Sequence, residues 1–312
     1  MVQFAGPAFA NLVNRIMSLH LVQPGLTNAV MFSPSGEVLQ PSDVRCKKAV
    51  LVQRGIFRPI TRINVDRFAC GTAQFGQEPR VAGREIVVLA EILMNPLQAD
   101  GALDHQDFLS RVDFIGEPGF TTLISNYSEY YRLTSYFRRY TREMIGIVMG
   151  VGDLLEIFDE RHYEHLEGGI LESFGRMFRN AVKLYIHPGR PAGGDQPREN
   201  DGNQDPGGAQ NPVAPTGLAT ARKIRIAEHL RNLYAHLLEN HYIDRVAGFD
   251  SGLLDSFPND LLQRIKAGDP IWEENGSTAG CQRDQEPRPL WVRHAAGCNR
   301  FLSELGRHGL SP

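Results

Sequence analysis

The stretch AVLVQRGIFRPITRIN, residues 49–64, decides how the chain is read. Its first part, Ala49 to Gln53, is a short apolar run without polar alternation. Such a run suits a strand covered on both faces, as in a parallel sheet. The run breaks at Arg54-Gly55, where a residue without a side chain lets the backbone pass close to whatever sits at the strand's carboxyl end. A helix begins soon after, with Pro59 tolerated in its first turn and free N–H groups turned toward an anion. Arg54 and Arg58 flank this turn; they form a cationic cradle for a phosphate or carboxylate, or they pair with surface carboxylates. Thr61 offers its hydroxyl either to a phosphate or to the helix backbone.

Outward from this junction, strand and helix take turns. Upstream, residues 7–22 read as a helix with Phe9, Leu12, Ile16 and Leu19 at three-to-four spacing, and AVMF and EVLQP as two short strands about the turn Ser33-Pro34-Ser35-Gly36. Downstream come a helix over 65–75, a second buried strand in REIVVLAEILMN (84–95), and a helix capped by Asp104. FTTLISN (120–126), MIGIVMG (144–150) and VKLYIHP (182–188) supply three more strands, with helical patterns over 127–141 and 153–180 between them. Each parallel pairing needs a crossover, so the expected fold is α/β: an open, mainly parallel, doubly wound (Rossmann-like) sheet with a helical C-terminal region.

The divisions follow from composition. An N-terminal helix lies within 1–30 and the α/β core spans 31–188. Residues 189–215, rich in Gly, Pro, Asn, Asp and Gln, read as a flexible linker. A helical region over 216–275 opens with an amphipathic pattern at 220–243, and the tail from 276 has no apolar period.

Bulk properties narrow the function. With 312 residues, 42% hydrophobic and 22% charged, the chain has the composition of an ordinary globular protein. A net charge of −3 without a long basic run gives no attraction to nucleic acid. No segment reaches the roughly 18 apolar residues of a membrane span. Cys46, Cys70, Cys281 and Cys298 lack C-x-x-C spacing, which argues against a zinc site or a disulfide framework and fits reduced thiols in the cytoplasm.

In an open parallel sheet the ligand lies beyond the carboxyl ends of the strands, near the point where strand order reverses. The candidate binding residues are therefore Arg54, Gly55, Phe57, Arg58, Thr61, Glu91, Asn126, Gly150 and Asp153, with His187 at the end of the fifth strand as a candidate for proton or phosphate chemistry. Each has a plain alternative, since Asn, Gly and Asp are also the ordinary residues of turns. Tyrosines interleave with arginines over 126–143, a surface able to stack a base or simply to pack on the sheet. Asp159, His162 and His165 could share a helical face toward a metal, although H-E-x-x-H is missing. Neither G-x-S-x-G, a Walker-type loop nor G-x-G-x-x-G before a helix occurs.

The string Gly55-Ile56-Phe57-Arg58-Pro59-Ile60-Thr61 resembles the first signature of the nicotinate/nicotinamide mononucleotide adenylyltransferases, approximately G-S-F-N-P-I-T-x-x-H. Gly55, Phe57, Pro59, Ile60 and Thr61 match; Ile56, Arg58 and Asn64 stand where the family has Ser, Asn and His. Asn64 can donate a hydrogen bond but cannot bring an imidazolium's charge to a phosphoryl transition state. The family's late I-S-S-T-x-x-R segment has no counterpart at the right interval. The resemblance implies a nucleotidyltransferase of NAD biosynthesis that uses ATP and Mg²⁺, with Gly55, Arg58 and Thr61 on phosphate and Asn64 in the position of the catalytic His. The rival is a non-catalytic nucleotide- or metabolite-binding module, its helical C-terminal region serving as a partner or homo-oligomer surface. A third reading is another enzyme on the same fold, working through His187 and Glu91.

Overall fold

The computed structural model describes residues 14–42, 47–57, 60–94, 98–99, 102–189 and 219–255. The opening apolar run forms β3 (Ala49–Arg54), buried from Ala49 through Gln53, at the centre of an eight-stranded sheet. On one side it pairs in parallel with β4 (Ile86–Leu93), which pairs in parallel with β7 (Thr121–Ser125). On the other it pairs with β8 (Ile145–Gly150), followed by β9 (Val182–His187) and β10 (Ile243–Arg245), all parallel. An antiparallel margin of β1 (Ala29–Phe32) and β2 (Val38–Leu39) extends the β7 side. A separate two-stranded ribbon joins β5 (Gln98–Ala99) and β6 (Ala102–Leu103).

The spatial order is β10-β9-β8-β3-β4-β7-β1-β2. The first three parallel strands step one way from the centre and the next three step the other way. That is the doubly wound arrangement, and its reversal lies between β3 and β8.

Seven α-helices among the described residues cover both faces: α1 (Asn14–Val22), α2 (Arg62–Gly76), α3 (His105–Gly116), α4 (Tyr130–Phe137), α5 (Val151–Ile157), α6 (Gly169–Met177) and α7 (Arg231–Glu239). Strand alternation sorts the core between them. Val50, Val52, Leu89, Ile145 and Ile147 pack with α4 to α7, whereas Ala49, Leu51 and Val148 meet Phe75 of α2. Phe68 of α2 joins Leu19, Phe108 and Ile115 of α1 and α3 on this second face. None of these helices is long and apolar enough to cross a membrane.

The C-terminal half departs from the expected elements. In place of one helix over 220–243, residues Glu228–Leu230 form a 3₁₀ turn that leads into the nine-residue α7, and Ile243–Arg245 form a sixth parallel strand. Tyr234, Leu237 and Ile243 belong to the same apolar cluster as β3 and β8, so this segment completes the sheet. Most of the expected linker (189–215), the tail from 276, and the first part of the 7–22 helix lie outside the described residues. Asp104 does cap α3, accepting from the backbone N–H groups of Gln106 and Asp107, both at 3.0 Å.

Candidate functional site

At the reversal, the chain leaving β3 enters α2 on one face, and the chain leaving β8 enters α5 on the other. The space above the sheet between the two helix starts is the usual ligand position in this topology.

The turn after β3 is closed on itself. The Gly55 amide continues the ladder by donating to the Glu91 carbonyl at 3.0 Å. Phe57 takes a left-handed backbone (φ 47°) and folds its ring back over Gly55, where a Cβ would lie 3.0 Å from the ring. That ring stacks on Phe68, which stacks on Phe120. Thr61 and Asn64 form a reciprocal cap at the start of α2: the Asn64 amide reaches the Thr61 hydroxyl at 3.3 Å, and Asn64 Oδ1 accepts from the Thr61 amide at 3.0 Å and its hydroxyl at 2.6 Å. Thr61 thus serves the helix backbone, and Asn64 is a capping residue. Arg58 lies outside the described residues.

Arg54 is equally engaged. Its Nε and Nη2 donate to the two oxygens of buried Glu91 at 3.0 and 3.1 Å, and its Nη atoms reach the carbonyls of Ser128 and Tyr127 at 2.5 and 2.6 Å. Its guanidinium lies 4.2 Å from the Tyr130 ring centroid. Burial alone lowers a guanidinium's pKa, but Glu91, with Tyr130 and Asp153, more than reverses this and holds Arg54 above its usual value. Ser125 donates to the same carboxylate at 2.6 Å. Glu91 is therefore the buried anchor of an ion pair, fully enclosed and bonded to Arg54 and Ser125.

The turn after β8 is different. The Gly150 amide donates to Asp153 Oδ2 at 2.9 Å, closing the start of α5. Against Gly150 lies the guanidinium of Arg67, from the second turn of α2; a Cβ at position 150 would come within 2.8 Å of Arg67 Nη2. Among the described residues Arg67 makes no hydrogen bond and no ion pair, and its Nε is sealed from solvent without a partner. Burial lowers its pKa, opposed chiefly by Asp153 and then by Tyr130 and Asp66. A desolvated cation with unmet donors is costly to keep, and an anion entering between the helix starts would relieve it.

Of the remaining candidates, Asn126 follows β7, two strands from β3, whereas His187 lies beside Gly150 on the neighbouring strand. Asn126 donates to the Val22 carbonyl at 2.6 Å and ties β7 to the end of α1. His187 is enclosed, its Nε2 2.9 Å from Asp66 Oδ2, its Nδ1 2.8 Å from the Pro188 carbonyl, and its ring against Phe249. It belongs to a fastening in which one face of α2 holds the chain after β10. Gln74 bonds both Arg245 O and Ala247 N, Cys70 donates to Gly248 O, Asp66 accepts from the Asp250 amide, and Ile63 packs with Leu254. Burial and the adjacent Asp66 push the Cys70 thiol up to about 12, so it is no thiolate nucleophile at neutral pH.

Farther along, Asp159 is bound by Arg161, whose hydrogen bonds pull it down to about 2, and His165 meets the Tyr131 hydroxyl at 3.0 Å. Among the described residues no three His, Cys, Asp or Glu side chains gather as a metal site. Tyr130, Tyr131, Leu133, Tyr136 and Phe137 of the aromatic stretch are core residues.

Sequence reasoning stopped at Asn64 and missed Arg67. The signal was helical spacing: Arg67 follows Ile63 and Asn64 by four and three residues, which places it one turn deeper along the helix that opens at the Gly55 junction. No protein-family model matches the chain, and no curated protein matches its sequence.

Proposed function

We propose that the space between the starts of α2 and α5 binds the phosphate of a nucleotide, with Arg67 as its main cationic contact. The single observation that carries this reading is the unpartnered, desolvated Arg67 guanidinium lying on the bare backbone of Gly150 at the strand-order reversal. The resemblance of Gly55 to Thr61 to the mononucleotide adenylyltransferases extends the proposal to a reaction: transfer of AMP from ATP to nicotinate or nicotinamide mononucleotide. In that role the chain positions phosphate and stabilises its charge, which is most of what phosphoryl-group transfer asks of a protein. Mg²⁺ would neutralise the nucleotide's phosphates, and Asp153 is the carboxylate that would hold it.

A second reading, binding without transfer, is favoured by a specific contact. Asn64 stands where the family has its His, and its side-chain oxygen is committed to the Thr61 cap.

Two measurements separate these readings. Thermal unfolding with ATP, or with nicotinate mononucleotide, at about a hundred times its dissociation constant should show a stabilisation near 2.7 kcal/mol. Arg67→Met should abolish that shift while raising the stability of the ligand-free protein by about 1 kcal/mol, since it removes a cation without a partner. An undiminished shift in this variant sinks the site. Pyrophosphate release from ATP, mononucleotide and Mg²⁺ marks transfer; stabilisation without release marks a binding module.

A further inference from the structure

A concavity is built from residues that take no part in the proposed phosphate site. Residues 222–226, which lead from a turn at 221–223 to the 3₁₀ turn at 228–230, lie beside α7, and between them is a groove of about 440 Å³. Its apolar wall comes from Ile224, Ile226, Tyr234 and Leu238. Ile226 and Tyr234 are buried, the Tyr234 hydroxyl donating to the Ala221 carbonyl and so tying the turn at 221–223 to the helix. Arg231, Tyr234 and Leu238 fall on one helical face, which gives the groove a length of about 10 Å at 1.5 Å per residue.

Its rim is basic. Arg222 and Arg225 are exposed and make no ion pair among the described residues. Among the described residues Arg231 meets only Glu228, at 3.6 Å and with both side chains largely in solvent. The nearby His229 lies 2.6 Å from Glu160. A cluster of three arginines on a chain of net charge −3 sets a local field opposite to that of the whole molecule.

We propose that this groove docks an acidic peptide segment of a partner protein, its apolar side chains seated between segment 222–226 and α7 and its carboxylates paired with Arg222, Arg225 and Arg231. The wall argues against a bare phosphate or nucleotide, because the Tyr234 hydroxyl is already bonded inside the protein and the wall's other side chains are hydrocarbon. The concave form suits a short peptide better than the flat surface of a membrane. Rim charges of this kind act mainly on association rate and partner choice, so binding should weaken steeply with salt.

The test uses the full chain and a fluorescein-labelled twelve-residue peptide of alternating Glu-Glu and Leu-Leu pairs, followed by fluorescence anisotropy. Peptides with Gln or Lys in place of Glu, and phosphatidylserine vesicles, serve as competitors. The acidic peptide should bind about tenfold more tightly than the Gln peptide at low salt. The double variant R222E/R225E, both positions at the surface, should remove that advantage. The charge-matched R80E/R142E, exposed elsewhere, should leave it within about twofold. Equal losses in the two double variants would reduce the effect to overall charge and overturn the proposal. So would an acidic peptide that binds no better than the Gln peptide, or vesicles that displace it with unchanged affinity in R222E/R225E. None of these outcomes depends on whether Arg67 binds a nucleotide.

Discussion

The turns after β3 and β8 leave neighbouring strands at the strand-order reversal, yet they use their polar groups in opposite ways. After β3 the described groups that the sequence marks as ligand contacts are engaged within the protein: the Gly55 amide with Glu91, Thr61 with Asn64, and Arg54 with Glu91, Ser128 and Tyr127. After β8 the cation that crosses to it, Arg67, has a sealed donor, Nε, without a partner. The lesson is that bonding capacity left over, more than the mere presence of suitable residue types, marks where a ligand would be sought. A closed turn and an open one should respond differently to substitution.

The largest effect is expected where the closed turn is opened. Glu91→Ala would leave Arg54 buried beside two carbonyls and a ring but without its carboxylate. Breaking a buried pair from one side costs about 3–5 kcal/mol. Urea denaturation should show that loss, and the double variant Arg54→Met/Glu91→Leu should recover most of it, because both charges are then gone. A single-variant loss below about 1 kcal/mol, the scale of an exposed pair, would mean that the turn is not closed by this contact.

An intermediate effect is expected at the open turn. Gly150 has an ordinary extended backbone (φ −82°, ψ 171°), so alanine is allowed there on conformational grounds. The added Cβ would instead press on Arg67 Nη2, which can swing away. Gly150→Ala should therefore leave the fold nearly as stable and weaken nucleotide binding about tenfold, or 1.4 kcal/mol. A titration that follows the melting temperature against ATP concentration measures both quantities. Unchanged affinity would separate Arg67 from the ligand.

These two residues also mark the limit of what can be read from the chain alone. The central strands were legible because β3 and β8 are apolar runs buried on both faces, a pattern few other elements share. β10 was not, because Ile243-Asp244-Arg245 is three residues long and follows an apolar helical period that carries the eye through it. The rule that ligands gather at strand ends picked Gly150 and Asp153 and, with equal force, Asn126. Only the strand order separates them, placing Asn126 at the end of β7, two strands from β3 on the side away from β8, and pairings between distant segments are not written in local sequence. Arg67 escaped for a related reason: its importance comes from the approach of Gly150, 83 positions away in the chain.

The smallest effect discriminates most sharply between the two turns, since it bears on the residue that the adenylyltransferase resemblance places on phosphate. Thr61→Ala removes the hydroxyl that accepts from the Asn64 amide and donates to Asn64 Oδ1. Loss of a side-chain N-cap of this type costs about 1 kcal/mol. If Thr61 is a cap and nothing else, that loss appears in the ligand-free protein, and the increment added by ATP is the same as in the unaltered chain. If Thr61 also holds phosphate, the increment itself shrinks, and Thr61→Ser, which keeps the hydroxyl, restores it. Comparing the two increments, rather than the two stabilities, decides whether the closed turn contributes to binding or only builds the helix from which Arg67 reaches across to Gly150.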